Sequence, residues 1–458
     1  MMGQKFIIVS NEDMARDILI KKGNSFSGRL QIRALIDHKL GPTYVALQDR
    51  NETWRRQRKW VHAAMVAAHQ EHFYGHIDKE IKRYLTTLLI NPTEFHSSTR
   101  ELLGRIMSTL AWDDATQGEK FGIIANETLR QMSLPGPIVN AVTPLWHITD
   151  FLGYNPWRNF ERAREDKMTS WWRQLLLQSK KRFLEQSLPK TSWAYRYFEQ
   201  VSQAGNSTLE QSSDEEHFAA CMLGFQNMVG VVTVAGPMQY FLMCMALHPL
   251  WQMKIQKQID IVCGDRMPNI DDYQELPILR ACIKETLRWR STVPLGVPHL
   301  CEEDSEYKGV AIKKGTVVLA CEWALNRDES QYPDPEKYRP ERWLEPSWPT
   351  FMEPLTRYPN LREGYGMHTF GWGRRMCLGQ AIADEELFLI AANVCWAFNM
   401  SIPDDPLTGE PTVVDSQATN SNVILEPTPW PMTFKARNQV KASKILNELA
   451  QVQHELKV

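Results

Sequence analysis

The chain has 458 residues without a Gly/Ser linker, an internal repeat or a low-complexity tract, so we expect a single domain over residues 1–458. Its net charge of −2 lacks the strong positive balance of a nucleic-acid-binding protein, and no nucleic acid is expected as a partner. The eight cysteines include no Cys-x-x-Cys pair and are not spaced like the disulfides of a small secreted domain, which indicates reduced thiols.

The first residues predict a short strand followed by a helix. Phe6 to Ser10 is apolar and β-prone, and Asn11 is the expected N-cap of the next helix. The apolar run here is only four residues long, which is too short for a signal peptide or a membrane span. No membrane anchor is therefore expected in the chain as written.

A helix is predicted from Asn51, and two of its side chains share one face. Trp54 and Arg58 are four positions apart, which is the spacing of neighbours on a helix surface. Taken alone, the pattern carries little information, because arginine-rich helix faces are mostly solvated.

The longest uncharged stretch runs from Phe218 to Leu247, which is 30 residues. Its length and composition resemble those of a transmembrane helix. Polar residues at Gln226, Asn227 and Thr233 reduce its apolar character, and a helix that is apolar all round can also be the buried axis of a large protein. We expect a central helix roughly 45 Å long, at about 1.5 Å per residue.

Two further elements follow the central helix. The segment 278–290 predicts a helix in which Glu285 and Arg288, three apart, lie on one face. The alternating segment Val310 to Leu319 predicts a β-hairpin.

The glycine-rich stretch Phe370-Gly-Trp-Gly-Arg-Arg-Met-Cys-Leu-Gly379, hereafter the cysteine loop, presents one thiol, Cys377. Gly371, Gly373 and Gly379 are expected to allow positive φ and a tight turn. A helix is predicted from Gln380, so its N-terminal dipole is expected to lower the pKa of the thiol and favour a metal-binding thiolate. Met376 stands where a dinucleotide-binding loop needs its third glycine, and a surface turn with an incidental cysteine remains the plain alternative.

The cysteine loop resembles the haem-binding signature of the cytochrome P450 family, Phe-x-x-Gly-x-Arg-x-Cys-x-Gly, matched by Phe370, Gly373, Arg375, Cys377 and Gly379. The resemblance implies a mainly α fold with a small β-rich subdomain, the cytochrome P450 fold. It also implies haem b, iron protoporphyrin IX, with Cys377 as the axial ligand of the iron.

The same resemblance assigns further residues to the haem. Trp54 and Arg58 look like the Trp-x-x-x-Arg pair that donates to a propionate, and His299 stands where related enzymes contact a propionate. Of the cysteine loop, Phe370, Gly371, Arg375 and Gly379 are expected to contact the cofactor. Segment 25–48 and the connection around Trp146 correspond to regions that cover the substrate channel.

The oxygen site departs from the family pattern. Gly230 and Thr233 fall where the family places the glycine and threonine of its catalytic motif, but the acid that usually precedes the threonine is replaced by Val232. A carboxylate there normally helps to relay protons. We therefore expect protons to arrive through Thr233 and water, or from the substrate. A threonine that only bonds to its own helical turn is the alternative.

Glu285 and Arg288 resemble the family's Glu-x-x-Arg pair, which is completed by an arginine downstream. Arg342, in Pro340-Glu-Arg-Trp343, is the expected third member. We interpret the three as a structural ion network and not as catalysts, because a buried charge needs a full set of partners.

The resemblance implies a monooxygenase that hydroxylates a small hydrophobic organic substrate with O2, most like fungal enzymes of secondary metabolism. Electrons would come from an NADPH-dependent flavoprotein, cytochrome P450 reductase, docking near Arg55, Arg56, Lys59 and Arg374. We expect a monomer, cytoplasmic as written, or at the cytosolic face of the endoplasmic reticulum if an anchor precedes this sequence. A radical-coupling or isomerising enzyme and a non-catalytic haem protein are the alternatives.

Overall fold

The computed structural model describes residues 5–30, 44–70, 73–133, 151–205, 211–351, 368–405, 407–410 and 412–455, with single positions at 138, 142, 145, 148, 149 and 209. Helices dominate this part of the chain, as expected. They are α1 (Glu12–Ala15), α2 (Glu52–Gln70), α3 (Tyr74–Ile90), α4 (Phe95–Trp112), α5 (Gly118–Met132), α6 (Pro156–Leu184), α7 (Trp193–Gln203), α8 (Ser213–Leu247), α9 (Pro249–Val262), α10 (Pro277–Trp289), α11 (Glu322–Leu325), α12 (Gln380–Ala397) and α13 (Gln439–Glu455).

The β structure is small, and its short strands lie near the beginning of the chain, between residues 299 and 320, and toward the end. The strands are β1 (Phe6–Val9), β2 (Gly28–Arg29), β3 (His299–Leu300), β4 (Ser305–Tyr307), β5 (Val310–Ile312), β6 (Val317–Ala320), β7 (Phe398–Ser401) and β8 (Thr433–Ala436). One sheet has the order β1-β6-β3-β2, and β4-β5 and β7-β8 form two-stranded sheets. A mainly α fold with a small β-rich part is thus confirmed.

The hairpin predicted over Val310 to Leu319 is wrong. β5 pairs antiparallel with β4, with Tyr307 opposite Val310, whereas β6 pairs with β1 and β3 in a different sheet. Alternating residues identify a strand but do not say which neighbour it bonds, because pairing depends on distant parts of the chain.

The first strand and helix pack beside the cysteine loop. The Oδ1 atom of Asn11 accepts a hydrogen bond from the backbone N–H of Met14 at 3.1 Å, which confirms the predicted N-cap. A π-helical turn, Arg16–Lys21, continues α1, and its Ile18 and Leu19 share a buried apolar cluster with Trp372. The N-terminal elements therefore support the loop that carries Cys377.

The central helix, α8, runs through the core and packs against α4, α5, α6 and α12. It is long and apolar enough to cross a membrane, but 72% of its most apolar window is buried inside the protein. The predicted buried central helix is confirmed, and its apolar composition reflects packing. Because α12 begins directly after the cysteine loop, this packing joins the helix of Thr233 to the helix that follows Cys377.

Parts of the two segments expected to cover the channel lie outside the described residues. Ile32 and Leu35 fall in the gap at 31–43, and Trp146 falls in the sparsely described stretch at 134–150.

Candidate active site

The cysteine loop is closed by its own backbone. The N–H of Cys377 donates to the carbonyl of Phe370 at 2.8 Å, which brings the two ends of the turn together. Gly371 and Gly373 have positive φ values of 76° and 53°, as expected, but Gly379 does not, with φ at −89°. A Cβ at Gly373 would lie 2.3 Å from the carbonyl oxygen of Leu19, so this glycine is also needed for the contact with the π-helical turn.

Cys377 is unlike the other cysteines of the chain. It alone has an exposed side chain, whereas the other seven are buried. Protein nevertheless surrounds it, and burial raises the pKa of its thiol, opposed by the N–H of Gly379 and the charge of Arg58. The expectation of a lowered pKa is wrong for the protein alone, since desolvation outweighs the local dipole. Because the sulfur of Cys377 is accessible and yet surrounded by protein, we infer that it borders an internal space.

Trp54 lies between two guanidinium groups. The Arg375 guanidinium lies 4.3 Å from the centre of the Trp54 ring, and that of Arg58 lies 5.7 Å from it. The Nε1 atom of Trp54 and the Nη1 and Nη2 atoms of Arg375 are buried, and none of the described residues forms a hydrogen bond with them. Arg58 donates to the carbonyl of Met376 at 3.0 Å. Trp54 and Arg58, which were predicted to be neighbours from their spacing, thus form one cluster of donors with Arg375 of the cysteine loop.

The cluster carries an excess of buried positive charge. Burial lowers the pKa of Arg375 to about 10, with repulsion from Arg58 as the next cause, and burial also lowers the pKa of Arg58. Arg29 belongs to the same group, since burial and then Arg375 and Arg58 lower its pKa. Asp49 provides only partial compensation. Buried cations of this density are stable only beside an anionic group.

His299 faces the same cluster from β3. Its Nδ1 atom lies 2.8 Å from the carbonyl oxygen of Phe26, and that carbonyl can only accept, so Nδ1 carries the proton. Burial lowers the pKa of His299 to about 3, with Arg29 as the next cause. The ring is therefore neutral in the protein alone, and an adjacent carboxylate would favour its cationic, doubly donating form.

Arg29 was not identified from the sequence. Its Nε atom donates to the carbonyl of Ala46 at 2.8 Å and its Nη1 atom to the carbonyl of Pro298 at 2.8 Å. In the sequence, the indication that Arg29 is buried is its position between the apolar residues Phe26 and Leu30. Its proximity to Arg375 reflects a contact between distant parts of the chain, since the Nε atom of Arg375 donates to the carbonyl of Ser27 at 2.7 Å.

One face of the central helix is less buried than the rest. Between Ala219 and Met245, the residues that are not fully buried are Gln226, Val229, Gly230 and Thr233. Their spacing of three and four places them on one side of a helix, and we call this set the open stripe. Gly230 and Thr233, the predicted oxygen-site residues, both belong to it, whereas Val232 is buried with 4% exposure.

Thr233 and Gly230 have different surroundings. The Thr233 hydroxyl donates to the carbonyl of Val229 at 2.9 Å, the bond to its own turn that was considered as the alternative. Its oxygen can still accept a hydrogen bond. A Cβ at Gly230 would meet the Cε atom of Met107 at 2.4 Å, so a glycine allows α4 to approach the central helix closely. The open stripe contains no titratable group.

The structure brings Glu285, Arg288 and Arg342 together, each with at most 2% exposure. Arg288 donates to both carboxylate oxygens of Glu285, at 2.7 and 2.9 Å, and Arg342 donates from Nε at 3.2 Å. Trp343 adds its indole N–H at 3.1 Å. This network links α10 to the turn Pro340–Trp343.

The residues present suit a haem. The unpartnered donors of Trp54 and Arg375, within the buried cationic cluster, match the two carboxylates of a porphyrin. Cys377, two residues from Arg375, offers a thiol toward an internal space, and a metal would bind it as thiolate. Phe370, Gly371 and Gly379 belong to the same loop, and near a Cβ built at Gly379 only Met65 comes as close as 4.0 Å.

A mainly helical fold with such a cysteine loop beside a buried central helix defines the haem-thiolate class of proteins. The chain belongs to the cytochrome P450 family, whose family model, described as Cytochrome P450, matches residues 1–424.

Similar proteins agree with this assignment. Cytochrome P450 monooxygenase virE of Hypocrea virens is 28% identical over 98% of this chain and 80% of its own length. Cytochrome P450 monooxygenase psoD of Aspergillus fumigatus is 29% identical over 98% of this chain and 85% of its own length. A zebrafish cytochrome P450, solved with abiraterone, has a TM-score of 0.70 at 21% identity and covers 94% of this chain and 93% of its own, which shows the fold. The chain is a cytochrome P450 monooxygenase with fungal homologues, and the alternative of a non-catalytic haem protein has no support.

Proposed function

We propose that this enzyme binds haem b through Cys377 and hydroxylates a small hydrophobic substrate of the secondary-metabolite kind, using O2 and electrons from an NADPH-dependent flavoprotein reductase. The observation that carries the proposal is the position of the unpartnered donors of Trp54 and Arg375 beside the accessible thiol of Cys377. The b type is supported by the sequence, which has no Cys-x-x-Cys-His motif for covalent attachment.

Haem supplies the redox chemistry when it is bound, and its thiolate ligand favours cleavage of the O–O bond. The protein's part is to hold the group and control access. Trp54, Arg375 and His299 would bind the propionates, and the N–H of Gly379 would donate to the sulfur and tune its basicity. Gly230 and Thr233 would form the oxygen site on the open stripe, where the Thr233 oxygen would accept a hydrogen bond from a proton donor.

The test of haem ligation is the spectrum of the reduced protein under carbon monoxide. We expect the thiolate-type Soret band in the wild-type protein and its loss in Cys377→Ser. Cys321→Ser, which changes a buried thiol elsewhere, is the matched control and should keep the band. A wild-type protein that binds no porphyrin, or a Cys377→Ser protein with an unchanged band, would refute the proposal.

A second function is favoured by one observation. The open stripe carries no titratable group, and Val232 occupies the place of the usual acid, so the ordinary proton supply for oxygen insertion is missing. Isomerisation of the substrate has no net use of O2 and needs no such supply, whereas radical coupling inserts no oxygen but still takes up protons as O2 is reduced to water. Turnover under isotopically labelled O2 separates the two, because hydroxylation places the label in the product and coupling does not.

Reductase docking is proposed on a narrower surface than the sequence indicated. Arg55, Lys59 and Arg374 have exposed side chains, but Arg56 pairs with Glu215 and lies over Phe218. Arg56 therefore has a partner within the protein. A cytoplasmic location, or one at the cytosolic face of the endoplasmic reticulum, is supported by the eight free cysteines, and we propose a monomer.

A further inference from the structure

The open stripe ends at a polar side chain, Gln226. Gln226 is the first residue of the stripe and lies seven positions before Thr233 on the same face of the central helix. Its Nε2 atom is buried and makes no hydrogen bond to any residue that the structure describes. A buried donor without an acceptor destabilises a protein unless another molecule provides one.

The other two amide side chains of the central helix differ from Gln226, because their donors have partners. Asn227 is fully buried, and its Nδ2 atom donates to the hydroxyl oxygen of Ser108 at 3.1 Å. Gln239, further along the same helix, donates to the carbonyl of His96 at 2.9 Å. The amide donors of these two side chains are thus satisfied within the protein, whereas the donor on the open stripe is not.

The face of the helix that carries Gln226 is closed before it, since Met222 and Leu223, four and three positions earlier, have at most 1% exposure. A Cβ at Gly224 would lie 2.2 Å from the indole of Trp172 in α6, so the two helices are in tight contact at this level. The next residue, Phe225, stacks on the buried ring of Tyr44 with 4.8 Å between ring centres. Gln226 is therefore at the closed end of the stripe, and Gly230 and Thr233 are at the other.

We propose that Gln226 is a specificity-determining residue, which donates from Nε2 to a carbonyl or ether oxygen of the substrate about 10 Å along the central helix from Thr233. The proposal rests on the proposed function, since Thr233 marks the place of oxidation only if haem is bound. The enzyme would then favour hydrophobic molecules with one oxygen acceptor at a fixed distance from the oxidised carbon. The hydrogen bond sets the direction in which the molecule lies along the stripe.

The test uses 1-alkylimidazoles, whose ring nitrogen coordinates haem iron and whose tail extends into the pocket. Tails of increasing length end either in a methyl ketone or in the isosteric isopropenyl group, and binding is followed by the shift of the Soret band. For tails that span about 10 Å, we expect the ketone to bind roughly three- to tenfold more tightly than the alkene. Shorter tails should show no difference.

Two variants assign the preference to the amide. Gln226→Leu should abolish the preference for the ketone, because it removes the amide donor. Val229→Ala on the same stripe changes volume but no hydrogen bond, so both tails should shift together and the preference should remain. Gln226→Met replaces Gln226→Leu if the latter binds no haem.

The outcomes separate this inference from the proposed function. If the purified protein shows no Soret band, the haem site itself is refuted, and the inference with it; if the band is present but no imidazole shifts it, the pocket along the stripe is refuted and the haem site stands. If imidazoles bind but ketone and alkene tails bind equally at every length, or if Gln226→Leu keeps the preference, the role of Gln226 is refuted and the haem site stands.

Discussion

Trp54 contributes two separable contacts, its ring and its indole N–H. The ring lies against Arg375 and Arg58, and the Nε1 atom is buried without a partner in the described part of the chain. Trp54→Phe keeps an aromatic ring but removes the donor. We expect haem to leave this variant about three- to tenfold faster, since one hydrogen bond to a charged group is lost.

Haem transfer to apomyoglobin, followed by absorbance, measures that rate. Trp60→Phe is the matched control, because Trp60 lies on the same helix but its ring packs edge-on against Tyr197 at 6.2 Å. If both variants release haem at the wild-type rate, the Trp54 N–H has no role in holding the cofactor.

Individual residues also show where local sequence stops being informative. Trp54 and Arg58 were predicted to be neighbours because both lie on one helical turn, which needs no tertiary information. The pKa of Cys377 was predicted with the wrong sign because burial, a tertiary property, outweighs the helix dipole. Arg29 was missed for the same reason, since its carbonyl partners at Val297 and Pro298 come from a distant segment.

At the scale of elements, Glu285 joins α10 to the turn Pro340–Trp343. Its two oxygens accept from Arg288, Arg342 and Trp343, and also from the backbone N–H of Arg339 at 2.9 Å. Glu285→Gln replaces an acceptor by an amide that faces these donors and leaves two buried guanidinium groups uncompensated. We expect a loss of about 3–5 kcal/mol in the free energy of unfolding, with haem lost in the same transition.

Urea unfolding, followed in parallel by circular dichroism and by the Soret band, checks this expectation. Glu329→Gln, at an exposed site in the neighbouring turn, is the control and should unfold like the wild-type protein. A Glu285→Gln protein of unchanged stability would show that the network is dispensable.

Helix α12 contains a carboxyl group that makes stability depend on pH. Burial raises the pKa of Glu386 from 4.5 to about 8, with repulsion from Glu385 as the next cause, and its Oε1 atom has no partner. Between these values the folded protein retains a proton that the unfolded chain releases. The contribution of Glu386 to the free energy of unfolding therefore falls as pH rises through this window, and levels off above it.

Glu386→Gln should remove that contribution. We expect the thermal midpoint of the variant, relative to wild type, to rise from about pH 5 to about pH 8, as measured by circular dichroism. Glu119→Gln, at an exposed site, should show a constant difference. A constant difference for Glu386→Gln as well would mean that this carboxyl group ionises normally in the folded protein.

The elements themselves were partly predictable. The long helix from Ser213 was identified as buried because Gln226, Asn227 and Thr233 are unsuited to a lipid environment. The strands at Val310 and Val317 were recognised as strands but joined incorrectly, because β5 bonds to β4 and β6 bonds to the N-terminal strand β1. Periodicity determines the type of an element, whereas its partner depends on the whole chain.

At the scale of the whole molecule, the surface near the cysteine loop is proposed to receive the reductase. Arg55, Lys59 and Arg374 are exposed, and cations of this kind attract an acidic partner over a distance set by salt. Lys59→Glu combined with Arg374→Glu should slow reduction of the haem about tenfold at low salt and weaken its dependence on ionic strength. Stopped-flow reduction by the NADPH-loaded reductase, at two salt concentrations, measures both effects.

The control must change the net charge equally at another place. Lys181→Glu combined with Lys190→Glu does so at exposed sites of the α6–α7 region and should leave the rate of reduction unchanged. If the two double variants behave alike, the effect comes from net charge and the docking surface is refuted. If only the first pair slows reduction, the reductase contacts the face on which the cysteine loop reaches the surface, and the path of electrons to the haem begins there.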